Sequence, residues 1–190
     1  MLDLIYPASG RTPLPNGCRM ERASEMLPLV DNEGYVYGQA PRNWCHGGSF
    51  VMHPVVHLHI INRSSCIYLQ KRSASKQLFP SRWDTAVGGH VTFGEYIKEA
   101  LYREAAEELS LVDFNPYWIT TYEFTSGTEK ELVSVFAAVG DFQLSPSNDE
   151  VEQGRYWSIG EIEENLGKDV FTPNFESEFA MIGSKLLALL

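Results

Sequence analysis

Three glutamates near the middle of the chain have the residue type and the spacing of a metal site. Glu104, Glu107 and Glu108 stand in the segment REAAEEL. At 3.6 residues per helical turn they fall within roughly 100° of arc, so one helix face would carry three mutually repelling carboxylates. A cation removes that repulsion, and oxygen ligands favour Mg²⁺ or Mn²⁺. Without further context, the pattern ExxEE would instead indicate a helix face with acidic side chains exposed to solvent.

These glutamates need a helix to hold them, and the sequence predicts one from about Gly94 to Leu109. Thr92 followed by Glu95 resembles a capping box, which opens a helix. An apolar stripe at helical spacing would face the core. Its members are Ile97, Leu101, Ala105 and Leu109.

Strands are predicted on both sides of this helix. Residues 26–40 form two apolar runs around the turn sequence DNEG, and alternating segments at 55–62 and 65–73 surround a polar turn; each pattern is typical of a hairpin. The other predicted elements are a glycine-rich turn at Val87–His90, strands at Tyr117–Phe124 and Leu132–Val139, and helices at 160–166 and Ser177–Leu190. Because strands and helices alternate without regular βαβ spacing, we expect an α+β fold, a mixed-sheet α/β/α sandwich.

Composition limits the class of protein. The chain has 190 residues and a formal net charge of −10, which disfavours a general role in binding nucleic-acid backbones. No apolar stretch is long enough to span a membrane, and the first residues lack a basic head followed by an apolar run. We therefore expect a cytoplasmic protein with neither a nucleic-acid nor a membrane partner. Residues 1–24, rich in Pro, Gly and charge, predict a loosely attached N-terminal arm before a single domain at 25–190.

The predicted helix lies within a longer pattern. Gly89 is followed after five residues by Glu95, and after seven more by the segment REAAEELSL, which begins at Arg103. This run of 23 residues resembles the signature of the Nudix hydrolases. One position departs from it, because Ser110 stands where the family has glycine. That glycine ends the helix in a left-handed turn, so the departure concerns the turn and not the metal ligands.

The resemblance implies a metal-dependent hydrolase of organic diphosphates. In this family the glutamates matching Glu104, Glu107 and Glu108 bind divalent cations, and one of them can act as general base. The backbone carbonyl matching Gly88 often adds a ligand, and the arginine matching Arg103 pairs with the glutamate matching Glu95. The implied chemistry is attack of water on phosphorus, with Mg²⁺ or Mn²⁺ as cofactor.

Outside this segment, residues 25–179 are similar to the type I isopentenyl-diphosphate isomerases and their Nudix hydrolase cousins. In the segment QKRSASKQLF, Arg72 and Lys76 match residues that contact the diphosphate. The isomerases also hold a second divalent metal with three histidines and two glutamates. The matching positions here are His46, His53, His90, Glu129 and Glu131. We interpret the neighbouring histidines, His57 and His59, as packing or surface residues.

Two departures separate the chain from the isomerases. Gly88 stands where they have the cysteine that protonates a double bond, and Asn174 stands where they have a tryptophan that stabilises a carbocation. The favoured hypothesis is therefore a hydrolase of a nucleoside diphosphate derivative or another organic diphosphate. A prenyl-diphosphate isomerase or lyase and a non-enzymatic ligand sensor are the alternatives. A homodimer is expected from the resemblance alone, and the sequence leaves the substrate open.

Overall fold

The computed structural model describes residues 3–7, 25–76, 78–146 and 151–190. The strands are β1 (Met26–Val30), β2 (Val36–Pro41), β3 (Met52–Ile61), β4 (Cys66–Arg72), β5 (Trp83–Thr85), β6 (Val87–His90), β7 (Tyr117–Thr125), β8 (Lys130–Val139) and β9 (Val151–Ser158). The helices are α1 (Arg42–Cys45), α2 (Ile97–Leu109), α3 (Ile159–Asn165) and α4 (Pro173–Leu187). Within these residues, no helix is long and apolar enough to cross a membrane.

Both predicted hairpins are confirmed. Strands β1 and β2 pair antiparallel as a separate two-stranded sheet. Their turn is held by the Asp31 carboxylate, which accepts hydrogen bonds from the N–H groups of Glu33 and Tyr35, both at 2.9 Å. Strands β3 and β4 also pair antiparallel, with Ile60 opposite Tyr68.

The main sheet has the strand order β5-β4-β3-β8-β7 among the described residues, with β6 paired to β3 and β9 paired to β4. Strands β3 and β8 are buried along most of their length, and their apolar side chains supply much of the core. The predicted glycine-rich turn at Val87–His90 is wrong, because these residues form β6. The strand ladder needs only backbone groups, so pairing with β3 overrides the low strand propensity of glycine.

Helix α2 begins at Ile97, three residues later than predicted. Gly94 has a φ of 97°, which is outside the helical region. The Glu95 carboxylate accepts the N–H of Thr92 at 3.0 Å, as in a capping box, but the Thr92 hydroxyl donates to Glu25 at 2.9 Å. Residues 92–95 therefore form a separate turn before the helix.

Helix α4 begins at Pro173, four residues before the predicted start. The Thr172 hydroxyl caps it by accepting the N–H of Phe175 at 3.1 Å, and Pro173 occupies the first helical turn. Proline favours that position because its φ is already helical and its missing N–H has no intrahelical partner there. The predicted strands at 117–124 and 132–139 and the predicted helix at 160–166 are confirmed within two residues at each end.

Contacts divide the chain into two compact units. Unit 1 contains the described residues of Met1–Val56, Gly89–Leu101 and Thr120–Ser134. Unit 2 contains those of His57–Gly88, Tyr102–Ile119 and Val135–Leu190. Tyr6 belongs to unit 1, where its hydroxyl accepts the N–H of Gly94 and donates to the carbonyl of Glu95, each at 2.9 Å. Residues 8–24 lie outside the described part of the chain, so the division into an arm and a single domain stays a prediction.

Ser110 takes the left-handed conformation that the Nudix pattern assigns to glycine. Its φ is 56°, and its N–H donates to the Ala106 carbonyl at 3.1 Å. A side chain in this region costs about 1–2 kcal/mol. Part of any gain from glycine is lost, because glycine also increases the entropy of the unfolded chain by about 0.4–1 kcal/mol.

We therefore expect Ser110→Gly to raise the free energy of unfolding by roughly 0.5–1 kcal/mol and the Tm by about 2 °C. Urea unfolding and calorimetry would measure both quantities. Ser184→Gly is the matched control, because Ser184 is exposed in the regular part of α4. Ser184→Gly should lower the free energy of unfolding by about 0.5 kcal/mol. A loss of stability in Ser110→Gly would contradict the interpretation that the left-handed conformation of Ser110 is strained.

Candidate functional site

Five metal-ligating side chains converge in unit 1. The nitrogen ligand atoms of His46, His53 and His90 lie within 4.8 Å of one another, and so do ligand atoms of His53, Glu129 and Glu131. Local structure explains the convergence. His46 caps the end of α1, His53 and His90 lie on the paired strands β3 and β6, and the two glutamates flank Lys130 at the start of β8. The structure thus brings together all five residues that were predicted for the second metal.

The ring nitrogens of this histidine–glutamate cluster are directed at one another. His46 Nε2 lies 2.9 Å from His90 Nε2, and Glu131 Oε1 lies 3.9 Å from His90 Nε2 and 4.0 Å from His53 Nε2. His53 donates its Nδ1–H to the Val51 carbonyl at 3.2 Å, which leaves the Nε2 lone pair as an acceptor. That Nε2 atom is buried and has no hydrogen-bond partner among the described residues. A histidine fixed through Nδ1 with Nε2 open is the usual arrangement of a metal ligand, so the cluster fits a divalent cation.

The electrostatics of the cluster favour the ligand forms of its side chains. Burial lowers the pKa of His53 from 6.5 to about 4, so its imidazole is neutral near pH 7. The hydrogen bond from His46 lowers the pKa of Glu129, and their Nδ1 and Oε2 atoms are 2.5 Å apart. Metal binding requires neutral imidazole and ionised carboxylate, and these shifts favour those forms at His53 and Glu129.

A second cluster lies in unit 2, on the carboxylate face of α2. Glu104 and Glu108 are one helical turn apart and both are buried, whereas the Glu107 side chain is 51% exposed. Arg103 Nη1 lies 2.7 Å from Glu104 Oε1 and 3.7 Å from Glu107 Oε2. Gln70, on β4, donates to Glu108 Oε2 at 3.1 Å. Two buried carboxylates one turn apart are costly without a cation, and their oxygens fit Mg²⁺ or Mn²⁺.

The predicted diphosphate-binding residues lie in unit 2, Arg72 at the end of β4 and Lys76 in the turn after it. The Arg72 guanidinium donates to Asp84 Oδ2 and to the Leu78 carbonyl, both at 3.2 Å. Asp84 is itself held in place, because its Oδ1 accepts the Thr172 hydroxyl at 2.9 Å. Lys76 lies in the next turn, where its N–H donates to the Ser73 carbonyl at 3.1 Å. Substrate contacts by Arg72 and Lys76, and the pairing of Arg103 with Glu95, stay predictions.

Comparison with known proteins identifies the family. Residues 52–175 match the NUDIX domain. An uncharacterized Nudix hydrolase from Nostoc sp. is 32% identical over 126 residues, which are 63% of this chain and 70% of that protein. The chain belongs to the Nudix family. This membership confirms the resemblance carried by residues 89–111, and it supports the predicted enzyme class, a hydrolase acting on diphosphate bonds.

Two further comparisons concern the branch of the Nudix family and the fold. Isopentenyl-diphosphate Delta-isomerase 1 from Photorhabdus laumondii is 28% identical over 166 residues, which are 83% of this chain and 94% of that protein. The predicted similarity to the isomerase branch is therefore confirmed. The crystal structure of DR0079 from Deinococcus radiodurans matches with a TM-score of 0.72 over 83% of this chain and 98% of that chain, at 23% identity. That match confirms the predicted fold class.

The sequence did not reveal one buried charged group. Glu178, on α4, is 1% exposed and contacts both His57 and His59 in unit 2. His59 is buried, as expected of a packing residue, but both rings bond to a carboxylate. The signal was present in α4, where Glu178 falls among the buried residues Phe175, Phe179, Ile182 and Leu186. A glutamate on an apolar helix face indicates a buried partner.

The buried His53 predicts a pH dependence of stability. Its folded pKa of about 4 lies below the ordinary value of 6.5, so the unfolded chain binds more protons between these values. Stability from this group is present above pH 6.5 and is lost as the pH falls toward 4. In metal-free protein we expect a loss of about 3 kcal/mol across that range, measured by urea unfolding. His53→Gln should remove this part of the slope, and an unchanged slope would contradict the assignment.

Proposed function

We propose that this Nudix protein is a Mg²⁺- or Mn²⁺-dependent hydrolase that cleaves a diphosphate linkage in a nucleoside diphosphate derivative or another organic diphosphate. The observation that carries the proposal is the burial of Glu104 and Glu108 on one face of α2, at the positions where the family signature has its metal ligands. Arg103 lies against Glu104 and Gln70 lies against Glu108, and a divalent cation would add further positive charge to this pair of acidic side chains. We also retain a cytoplasmic location and a homodimer as predictions.

The polar side chains of α2 have different roles in the proposed reaction. Glu104, Glu107 and Glu108, with the carbonyl of Gly88, would hold the cation, which would neutralise charge on the departing phosphate. One of the glutamates serves as general base and takes a proton from the attacking water. The water oxygen bonds to phosphorus as the bond to the leaving phosphate oxygen breaks. Arg103 and Gln70 keep the Glu104 and Glu108 carboxylates oriented through the contacts described above.

Positive side chains must offset the charge of the substrate, because the protein carries a net charge of −10. We propose that Arg72 and Lys76 contact the diphosphate. The Arg72 guanidinium is already oriented by Asp84, which reduces the entropy lost when it binds a phosphate oxygen. An arginine offers phosphate two parallel N–H groups, which suits this role.

We further propose that His46, His53, His90, Glu129 and Glu131 hold a second divalent cation. The support is the buried His53 Nε2 atom and the short approach of His46 to His90. The isomerase relatives also raise the alternative of a prenyl-diphosphate isomerase. Gly88 has no side chain with which to donate a proton, so we place hydrolysis first. Proton exchange between isopentenyl diphosphate and deuterated solvent would reverse that order.

Glu108→Gln should lower turnover roughly hundredfold or more, because it removes a metal ligand or base without changing side-chain shape. Turnover would be followed as product release with Mg²⁺ and with Mn²⁺. The panel would contain nucleoside di- and triphosphates, nucleotide sugars, ADP-ribose, dinucleoside polyphosphates, coenzyme A and isopentenyl diphosphate. Glu163→Gln is the matched control, since Glu163 is exposed on α3, and it should leave turnover unchanged.

The outcomes of this panel separate the hypotheses. Turnover that survives Glu108→Gln would exclude the α2 carboxylate face as the active site. Tight binding without turnover across metals and pH would favour a ligand sensor, and Ser110→Gly would then be the first variant to assay.

The two proposed metal sites should be separable by substitution. His53→Gln should abolish binding of one class of Mn²⁺ and leave the second class, whereas Glu108→Gln should do the reverse. Isothermal titration of Mn²⁺ into metal-free protein would count both classes. If His53→Gln and the wild type bind the same number of ions, the five-residue site is wrong.

A further inference from the structure

The side-chain amide of Gln70, on β4 in unit 2, is hydrogen-bonded at one end only. Its Nε2 donates to Glu108 Oε2 at 3.1 Å. Its Oε1 is buried and has no hydrogen-bond partner among the described residues, and the whole residue is 9% exposed. A buried carbonyl oxygen without a donor is costly, because it has lost its hydrogen bonds to water and gained none in return. The Oε1 atom therefore requires a donor from outside the described part of the chain.

The partner of Gln70 determines which end of the amide is which. An ionised carboxylate only accepts hydrogen bonds, so the NH₂ group of Gln70 has to face Glu108. Rotating the amide by 180° would place two acceptors against each other. Because the amide is planar and its two ends are adjacent, Oε1 lies beside the carboxylate face of α2 as an acceptor.

The strands next to β4 do not supply the missing donor from a side chain. Gln70 is opposite Asp84 on β5 and opposite Gly154 on β9. The Asp84 carboxylate is an acceptor, since it receives hydrogen bonds from Arg72 and Thr172. Gly154 has no side chain. Both cross-strand neighbours of Gln70 therefore lack a side-chain donor for Oε1.

Water reaches the carboxylate face of α2. The Glu107 side chain is 51% exposed, whereas Glu104 and Glu108 are buried. The proposed reaction needs one water on this face, and only one of its two protons is removed by the general base. A water held inside a protein needs polar partners for its remaining hydrogen-bonding groups. Gln70 Oε1 is a buried acceptor beside the same face, where it suits the O–H group that does not react.

We propose that Gln70 is a further catalytic residue, whose Oε1 accepts a hydrogen bond from the water that attacks phosphorus. The general base of α2 takes one proton of this water. The second proton stays on the oxygen and is directed to Gln70 Oε1, so that an oxygen lone pair is turned toward phosphorus. As the new O–P bond forms, the bond to the leaving oxygen breaks and its electron pair remains on that oxygen. The second proton ends on the product phosphate.

This inference rests on the proposed function, because it requires attack by water at the carboxylate face of α2. It adds a second role for Gln70. Through Nε2 the residue orients Glu108, and through Oε1 it contacts the reacting water.

The first test observes Gln70 directly, in wild-type protein labelled with ¹³C and ¹⁵N at glutamine. Addition of Mg²⁺ and imidodiphosphate, a diphosphate analogue that is not hydrolysed, should move the Gln70 Cδ signal downfield, because its carbonyl gains a hydrogen bond. The Cδ signal of Gln153, which is exposed on β9, should stay in place as the matched control. Signals would be assigned by triple-resonance spectra of the wild type, so this measurement does not depend on whether a variant folds.

The second test separates the two ends of the amide by substitution. Gln70→Lys keeps a donor toward Glu108 and has no acceptor. At saturating Mg²⁺ it should lower kcat about tenfold or more and leave KM within about twofold, because the lost contact is to water and not to substrate. Gln153→Lys adds the same charge at an exposed position and should leave both parameters unchanged. The substrate would be the panel member that the wild type hydrolyses fastest, and urea unfolding would verify that each variant is folded.

The outcomes distinguish this inference from the proposed function. Wild-type kcat in Gln70→Lys would show that Gln70 acts through Nε2 alone and would overturn the inference, and so would an unmoved Gln70 Cδ signal in the complex. A raised KM with unchanged kcat would also overturn it, because Gln70 would then contact the substrate. Each of these results leaves the proposed hydrolase intact. Hydrolysis of no panel member by the wild type would overturn the proposed function and this inference together.

Discussion

Charge that is buried must be compensated nearby, and this constraint governs both units. Glu104, Glu108, Glu131 and Glu178 are all nearly inaccessible to solvent. Moving an isolated carboxylate into such a setting costs several kcal/mol. Each of these side chains therefore lies against an arginine, an amide or a histidine. Two of these pairings, Glu108 with Gln70 and Glu178 with His59, join a helix to a strand within unit 2.

Strand β3 carries three histidines whose side chains face different charged or polar groups. Side chains at every second position of a strand share a face, so His53, His57 and His59 are on one side of β3. In unit 1 the buried His53 Nε2 has no hydrogen-bond partner among the described residues, and we propose that it binds a cation, whereas in unit 2 His57 and His59 face a carboxylate. Histidines on one strand therefore have different electrostatic surroundings, and the groups packed against each ring determine the difference.

Much of the molecule could be predicted from local signals. The hairpins at β1–β2 and β3–β4 follow from alternation and turn residues, and the carboxylate face of α2 follows from its spacing. The histidine–glutamate cluster was predicted by resemblance to a family, since its five members are spread from residue 46 to residue 131. Local patterns failed where distant contacts decide the conformation. Strand β6 forms despite its glycines because β3 provides a partner, and Glu178 bonds to residues about 120 positions away.

The left-handed turn at Ser110 has a consequence for how relatives of this protein are identified. The position selects for a backbone geometry, which glycine adopts freely and which asparagine and aspartate tolerate better than most residues. A search that requires glycine at this position would discard sequences in which another residue adopts the same loop conformation at a modest energetic cost. A pattern that accepts any residue tolerant of positive φ at this position would retain them. It would also distinguish chains that have lost the loop from chains that keep the loop with a different residue.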